Sequence, residues 1–131
     1  LQHCVRTLGG VRPFWEGLLG GLVEPGLRLA TVWGVALELH QQNVLLRLAP
    51  SAADSTSAKD PTGALPFVVR DLGGIRVHSP RLAAAGCSLR LAPGSFTQTE
   101  DLDEMRDKLS HTLMQAALTS VIHWLKPLGL D

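Results

Sequence analysis

Histidine and cysteine are the residues of this sequence that could bind a metal ion or form a nucleophile with its base. The chain has five histidines and two cysteines, but it contains neither an H-E-x-x-H pair nor a Cys-x-x-Cys pair, which are common zinc-binding spacings. On a helix, His111 and His123 would lie about 120° apart, too far round to share a metal ion easily. We therefore expect no metal site, with a zinc site built from scattered residues as the alternative. The histidines are His3, His40, His78, His111 and His123.

Motifs for nucleophilic catalysis and for phosphate binding are also missing from the sequence. No G-x-S-x-G elbow occurs, and no spacing supports a pair between Cys87 and a histidine. The glycine pairs at positions 9–10, 20–21 and 73–74 never extend to G-x-G-x-x-G or G-x-x-x-x-G-K, and they are interpreted as turns and joints. The acidic cluster from Glu100 to Asp107 is explained by the start of a helix. These observations predict no catalytic residue, no cofactor and no enzymatic activity.

The composition is typical of a globular protein that does not bind nucleic acid. The 131 residues are 45% hydrophobic and 18% charged, with a formal net charge of zero. This length and composition fit a single domain, and a neutral chain supplies no field that attracts phosphate. The longest apolar stretch, residues 29–37, is far shorter than the roughly 20 residues of a membrane span. We therefore predict one domain over residues 1–131, with no nucleic-acid partner and no transmembrane segment.

The cysteines bear on the cellular location of the protein, and the first residue bears on whether the chain is part of a longer one. Cys4 and Cys87 are too few for a disulfide framework, so two reduced thiols are favoured over one long-range bridge. No Asn-x-Ser/Thr sequon occurs, and together these features predict an intracellular, cytoplasmic location. The sequence opens on Leu1 without the pattern of a signal peptide. We expect the chain to be a piece of a longer polypeptide.

The strongest structural signal is an amphipathic helix from Asp101 to Leu125. Asp101 and Glu104 have the spacing of a capping box at its start. Pro127 and Gly129 follow its last turn and are typical of a helix end. Apolar residues recur in steps of three and four, which places them on one face. They are Leu102, Met105, Leu109, Leu113, Ala116, Ala117, Val121 and Trp124.

The middle of the chain predicts β-strands. Residues 27–39 and 44–49 flank the polar turn 40–43, and residues 65–70 and 75–79 flank Gly73 and Gly74, so we expect two hairpins. Residues 87–91 read as a further short strand. Half-buried strands of this kind form antiparallel sheets. The sequence therefore predicts an α+β fold, with a mainly antiparallel sheet of about five strands packed against the C-terminal helix.

The remaining segments carry weaker patterns. Residues 1–8 are interpreted as a strand and residues 13–23 as a short helix, although the glycines of that helix lower its propensity. Residues 51–64 are small, polar and without period, which predicts an exposed flexible loop. Trp33 lies within an apolar stretch, and we expect it in the core.

The C-terminal helix has a second apolar face, which must also be buried against something. Either the N-terminal segment around Phe14 and Leu18 covers it, or this face contacts another domain or subunit. The candidate partner-contact residues are Met114, Leu118, Ile122 and Trp124.

With no catalytic motif in view, interaction is the favoured function. We predict a non-catalytic protein-interaction, adaptor or scaffolding domain of a larger intracellular protein or complex, which docks through its C-terminal helix. Its partner is another protein or a neighbouring domain of the same chain, with a homo-oligomer as the alternative. A domain that binds a small ligand or lipid between sheet and helix is the alternative. An enzyme whose catalytic residues are scattered along the chain is the third hypothesis.

Overall fold

The fold is built from two long helices and a few short strands. The computed structural model describes residues 1–47, 64–90, 92 and 95–129. Helix α1 spans Gln2–Thr7, and helix α2 covers residues 11–33 through the contiguous segments Val11–Leu18, Leu19–Val23, Glu24–Arg28 and Leu29–Trp33. Helix α3 spans Ser79–Ala84. Helix α4 covers residues 102–125 through Leu102–Leu109, Ser110–Leu118 and Thr119–Leu125, and a 3₁₀ turn at Lys126–Leu128 follows it.

The strands of the described residues form two small sheets. Strands β1 (Val35–Ala36), β4 (Arg76–His78) and β5 (Gln98–Thr99) make the first, in which β4 is antiparallel to β1 and parallel to β5. Strands β2 (Val44–Leu46) and β3 (Phe67–Val69) make the second, an antiparallel pair. The α+β class and the C-terminal helix are thus confirmed. The single sheet of about five mainly antiparallel strands is not what the structure contains.

The core lies between α2, α4 and the strands. Leu39, Leu113 and Leu125 are completely buried, and Phe14 and Leu18 of α2 pack into the same cluster. A smaller cluster joins Ala30, Ala36 and Met105. Most of the apolar face predicted for α4 is its core face, because steps of three and four residues bring these side chains to one side of a helix. Trp124, predicted for the same face, is exposed.

Residues 27–33, predicted as part of a strand, are helical. They continue α2, which ends at Gly34 in the left-handed conformation (φ 71°). Leu27, Val32 and Trp33 are exposed, and only Ala30 of this stretch is buried, so the expectation of a core Trp33 is wrong. A run rich in β-branched and aromatic residues fits a helix as well as a strand when the neighbouring core decides which face is covered.

Both predicted hairpins have the wrong partners. Strand β2 was expected to pair with the strand before it, but it pairs with β3. Strand β4 was expected to pair with β3, but it pairs with β1 and β5. Residues 87–90 are not a strand, and the third strand of the larger sheet is Gln98–Thr99. Neighbours in sequence were expected to pair because tight turns favour hairpins, but register and partner follow the buried faces of the whole sheet.

At the N-terminus, residues 2–7 form a helix where a strand was predicted, and the helix expected at residues 13–23 is part of α2. The predicted flexible loop at residues 51–64 falls, except for Ala64, outside the described residues. That loop stays a prediction.

Removal of the α4 cap is expected to destabilise the fold. The Asp101 carboxylate accepts hydrogen bonds from the backbone N–H of Asp103 (2.8 Å) and of Glu104 (3.4 Å). Asp101→Ala leaves these two donors without their partner and should lower the free energy of unfolding by about 1 kcal/mol, as measured by urea denaturation. The exposed Asp107 is the control, and Asp107→Ala should change stability by less than about 0.5 kcal/mol. Equal stability of the two variants would contradict the capping role.

Two adjacent glycines of α2 provide a matched test of the packing between α2 and the segment before β3. A Cβ at Gly21 would lie 2.0 Å from the carbonyl oxygen of Leu65, whereas one at Gly20 would meet Ala64 at ordinary van der Waals distances of 3.5 Å to its Cβ and 3.8 Å to its Cα. Gly21→Ala should therefore destabilise the chain by about 1–3 kcal/mol or more. Gly20→Ala should be neutral or stabilising by up to about 1 kcal/mol, because alanine favours a helix. Thermal unfolding of both variants gives the comparison, and similar melting temperatures would refute the close approach.

Candidate functional site

The polar turn between β1 and β2 forms the centre of the candidate site. Asn43 is buried, with 4% of its surface exposed. Its amide nitrogen lies 3.3 Å from the Glu38 carbonyl oxygen, 3.4 Å from Glu38 Oε2 and 3.3 Å from His40 Nε2. Its backbone N–H donates to the His40 carbonyl at 2.9 Å. A buried amide is stable only when it is hydrogen-bonded, so Asn43 holds Glu38 and His40 together.

Glu38 is paired with Lys108, which reaches it from α4. The Lys108 ammonium donates to Glu38 Oε1, and His40 Nε2 lies 4.0 Å from Glu38 Oε2. The side chains of Glu38 and Lys108 are only 21% and 22% exposed. The hydrogen bond from Lys108 holds the pKa of Glu38 below its usual value of 4.5 although burial acts in the opposite direction. Glu38 is therefore ionised at neutral pH and can orient the imidazole of His40.

A second ion pair continues this network along α4. Arg76 of β4 donates through Nε to Glu104 Oε1 at 3.0 Å, and Glu104 Oε2 accepts from the Thr99 hydroxyl at 2.5 Å. The Thr99 hydroxyl, and after it Arg76, lower the pKa of Glu104. Arg76 also contributes to the lowered pKa of Glu38. Arg76 thus pairs directly with Glu104 and acts on Glu38 only through its charge.

The first turns of α4 and the end of β1 are held together by a buried threonine. Thr112 is 2% exposed, and its hydroxyl lies 3.2 Å from the Leu37 carbonyl oxygen and 3.0 Å from the Lys108 carbonyl oxygen. Leu39, next to Glu38, is completely buried. Because the residues on both sides of Glu38 are fixed to the core and to α4, its carboxylate faces Lys108 in a defined position.

A strained turn after β3 closes the site on another side. The backbone N–H and the guanidinium of Arg70 donate to the carbonyls of Asn43 (2.9 Å) and Gln42 (3.0 Å). Asp71 follows with φ 61°, the one positive φ of a non-glycine residue in the described part of the chain. At Gly74, a Cβ would come within 1.8 Å of Glu38 Oε2. The missing side chain at Gly74 therefore leaves room for the Glu38 carboxylate. A positive φ at a non-glycine residue, as at Asp71, is often found at functional sites.

Chemically, the arrangement can transfer protons and bind an anion. A carboxylate and an amide next to an imidazole fix the orientation of the ring, and an oriented imidazole can transfer a proton. Lys108 and Arg76 supply positive charge that a negatively charged group can approach, since both are partly exposed. No group of three or more His, Cys, Asp or Glu residues in the described ranges is arranged to hold a metal ion.

An apolar cavity of about 190 Å³ adjoins the polar turn. It lies between α1, α2, β2, β3 and α4, and Gln41 of the turn is part of its wall. The cavity and the network around Glu38 thus share the segment from His40 to Asn43.

The four residues predicted to contact a partner do not share one exposed face. Met114 and Trp124 are 51% and 63% exposed, and the Trp124 ring stands edge-on to His123 at a centroid distance of 6.4 Å. Leu118 is buried in the cluster that contains Phe14, and Ile122 is half-buried. Partner contact through these residues stays a prediction.

Sequence reasoning missed Glu38, His40, Asn43 and Lys108 as a group. The one local signal is the run of four polar residues from His40 to Asn43 between apolar segments, which was interpreted only as a turn.

Cys4 and Cys87 are both free thiols. Among the helices that the structure describes, none combines the length and the apolar character needed to cross a membrane.

Comparison with known proteins identifies relatives over most of the chain. The chain is 31% identical over 114 residues to the "NRPS-independent siderophore synthetase-like protein ankE" of Aspergillus thermomutatus, covering 86% of this chain and 16% of that protein. It is 36% identical over 94 residues to the "NRPS-independent siderophore synthetase rfs" of Rhizopus delemar, covering 70% and 13%. It is 26% identical over 117 residues to "Staphyloferrin A synthase" of Staphylococcus aureus, covering 89% and 18%. The chain thus spans less than a fifth of the length of each relative.

A solved structure shares the fold. The chain superposes with a TM-score of 0.69 on part of the petrobactin biosynthesis protein AsbB from Bacillus anthracis str. Sterne, at 15% sequence identity. The superposition covers 96% of this chain and 21% of AsbB. At this identity the likeness establishes the architecture of the chain.

These relatives overturn the functional prediction. A non-catalytic scaffold or adaptor domain is wrong, because the relatives that match this stretch carry the names of siderophore synthetases. An enzyme, the hypothesis that the sequence supports least, is the class to which they belong. The family model described as "Ferric iron reductase FhuF-like transporter" matches residues 12–130. The chain therefore belongs to the FhuF-like family.

Proposed function

We propose that the chain is a segment of an NRPS-independent siderophore synthetase and that the network around Glu38 contributes to its active site. The names of the relatives support the synthetase assignment. The observation that carries the choice of site is the Asn43 amide, which is buried and holds Glu38 against His40. Such convergence of partly buried ionisable groups is more common at functional sites than elsewhere on a protein.

The chemistry of a synthetase explains why these residue types would be useful. When two molecules are joined, the attacking group of one loses a proton, the bond to a leaving group on the other breaks, and negative charge that develops in the transition state has to be stabilised. In the proposal, His40 accepts or donates the proton, and Glu38 and Asn43 fix its ring. Lys108 and Arg76 attract the anionic part of a substrate. The remaining groups needed for the reaction would come from other parts of the synthetase.

Ferric reduction, which the description of the family model names, receives less support from the residues of this chain. An iron–sulfur centre that carries electrons is usually held by four cysteine thiolates. This sequence contains two cysteines, and Cys87 is exposed whereas Cys4 packs beside the core. The donor set does not fit such a centre, so we derive no redox step.

Substitution of His40 tests the proposed site. His40→Ala in the full-length synthetase should lower the rate of siderophore formation by about 10²-fold or more, because proton transfer by a positioned side chain contributes about 10²–10⁴-fold. Product is measured by mass spectrometry, and circular dichroism checks the fold. His111 is an exposed histidine of α4 whose Nδ1 lies 3.2 Å from Gln115 Oε1, and His111→Ala is the matched control with unchanged rate. Full activity of His40→Ala would exclude this site.

The ion pair between Glu38 and Lys108 predicts a specific dependence of stability on pH. The pKa of Glu38 is lowered in the folded chain, so its ionised form stabilises the fold above the usual pKa of 4.5, and this contribution is lost as the pH falls through the lowered value. Glu38→Gln should therefore destabilise the chain most at neutral pH and progressively less below about pH 4.5, as measured by urea denaturation across pH.

The partner variant serves as the control for this ion pair. Lys108→Met should also destabilise the chain at neutral pH, and the double variant should lose less stability than the sum of the single losses, because both remove one interaction. Additive losses, or a Glu38→Gln effect that does not change with pH, would show that the pair does not stabilise the fold.

A further inference from the structure

The segment that follows β3 holds the polar turn through Arg70. Val44 and Val69 are the last paired residues at this end of the ladder between β2 and β3. The backbone N–H of Arg70 extends the ladder by donating to the Asn43 carbonyl at 2.9 Å. The Arg70 side chain reaches one residue further, since its Nε donates to the Gln42 carbonyl at 3.0 Å. One residue of β3's continuation therefore holds two successive carbonyls of the turn.

These contacts act on His40 through Asn43. The backbone N–H of Asn43 donates to the His40 carbonyl at 2.9 Å, and its amide nitrogen lies 3.3 Å from His40 Nε2. Among the residues that the structure describes, no carboxylate pairs with the guanidinium of Arg70, so its hydrogen bond to the turn is not a by-product of a surface ion pair. A planar guanidinium is a pre-organised donor. A shift of the turn at Arg70 would therefore be passed on to the imidazole.

The same segment fixes Glu38 by leaving space for it. The chain passes Asp71 and forms a 3₁₀ turn at Leu72–Gly74. A Cβ at Gly74 would overlap the Glu38 carboxylate, whereas one at Gly73 would meet Asp71 Oδ1 at 3.4 Å, an ordinary van der Waals distance. The overlapped carboxylate is the end of a flexible side chain. A methyl group at Gly74 would therefore displace the carboxylate and leave the backbone in place.

We propose that the segment from Arg70 to Gly74 positions the two residues of the proposed proton-transfer site. Arg70 is a positioning residue for His40, because it fixes the turn that carries the imidazole. Gly74 is a positioning residue for Glu38, because its missing side chain sets where the carboxylate lies. A misplacement of about 1 Å can cost about 10²-fold in rate. The inference rests on the proposed function of His40 and adds residues that act on catalysis from behind the site.

Steady-state kinetics of the full-length synthetase test the role of Arg70. Arg70→Met should lower kcat by about tenfold or more and change KM by less than about twofold, because it misplaces His40 without removing a substrate contact. Arg70→Lys keeps a donor and should recover part of the loss. Arg47 is an exposed arginine just after β2, at the other end of the same strand pair, and Arg47→Met is the matched control with unchanged kcat.

Two further variants separate positioning from a general effect on the fold. Gly74→Ala should lower kcat by about tenfold or more, and the neighbouring Gly73→Ala should leave it unchanged. Because Arg70 acts through His40, Arg70→Met should cause no further loss of kcat when it is added to His40→Ala. Circular dichroism identifies a variant that does not fold, and the Arg70 or Gly74 variant that does fold then decides.

Failure of this inference and failure of the proposed function give different results. Full kcat of folded Arg70→Met and Gly74→Ala beside a slow His40→Ala would overturn the inference alone. A raised KM with unchanged kcat in Arg70→Met would do the same, since it would show that Arg70 binds substrate directly. So would losses that multiply when Arg70→Met and His40→Ala are combined. Full activity of His40→Ala would remove the proposed function and this inference with it.

Discussion

The packing of α4 across α2 is the constraint on which the rest of the structure depends. Leu113 of α4 and Leu39, just after β1, are completely buried in one cluster with Phe14 and Leu18 of α2. Each strand is only two or three residues long, and short strands contribute little stability by themselves. The strands are therefore held by the helices. The same packing brings Lys108 on α4 to the carboxylate of Glu38.

The polar network stands at the edge of this core, where its charges are partly desolvated and each of its two carboxylates, Glu38 and Glu104, has a cationic partner. Removing charge from water is costly, and an ion pair of this kind is tolerated only when hydrogen bonds satisfy both partners. Lys108 and Arg76 meet this condition for Glu38 and Glu104, and Asn43 does so for the turn. An apolar alternative could stabilise these positions as well, so the stability of the fold does not by itself account for the polarity of this network.

The functional prediction failed because motif searches detect only residues at fixed spacing. Glu38 and Lys108 are 70 residues apart, and Arg76 and Glu104 are 28 apart. No short pattern records such pairs. The chain lacks a phosphate-loop motif and the common zinc-binding spacings, but an enzyme whose groups converge through the fold needs no such motif. The family came from the comparison with known proteins, and the geometry supplied the candidate residues.

The sequence by itself determined the features that depend on near neighbours. The extent of α4, its cap at Asp101 and its end before Gly129 follow from periodicity and from hydrogen bonds within a few residues. The polar turn after β1 was also visible. Only the tertiary structure decided that residues 27–33 are helical, that β2 pairs with β3, and that Glu38 meets Lys108. These outcomes depend on which faces the assembled core buries, and local propensity does not carry that information.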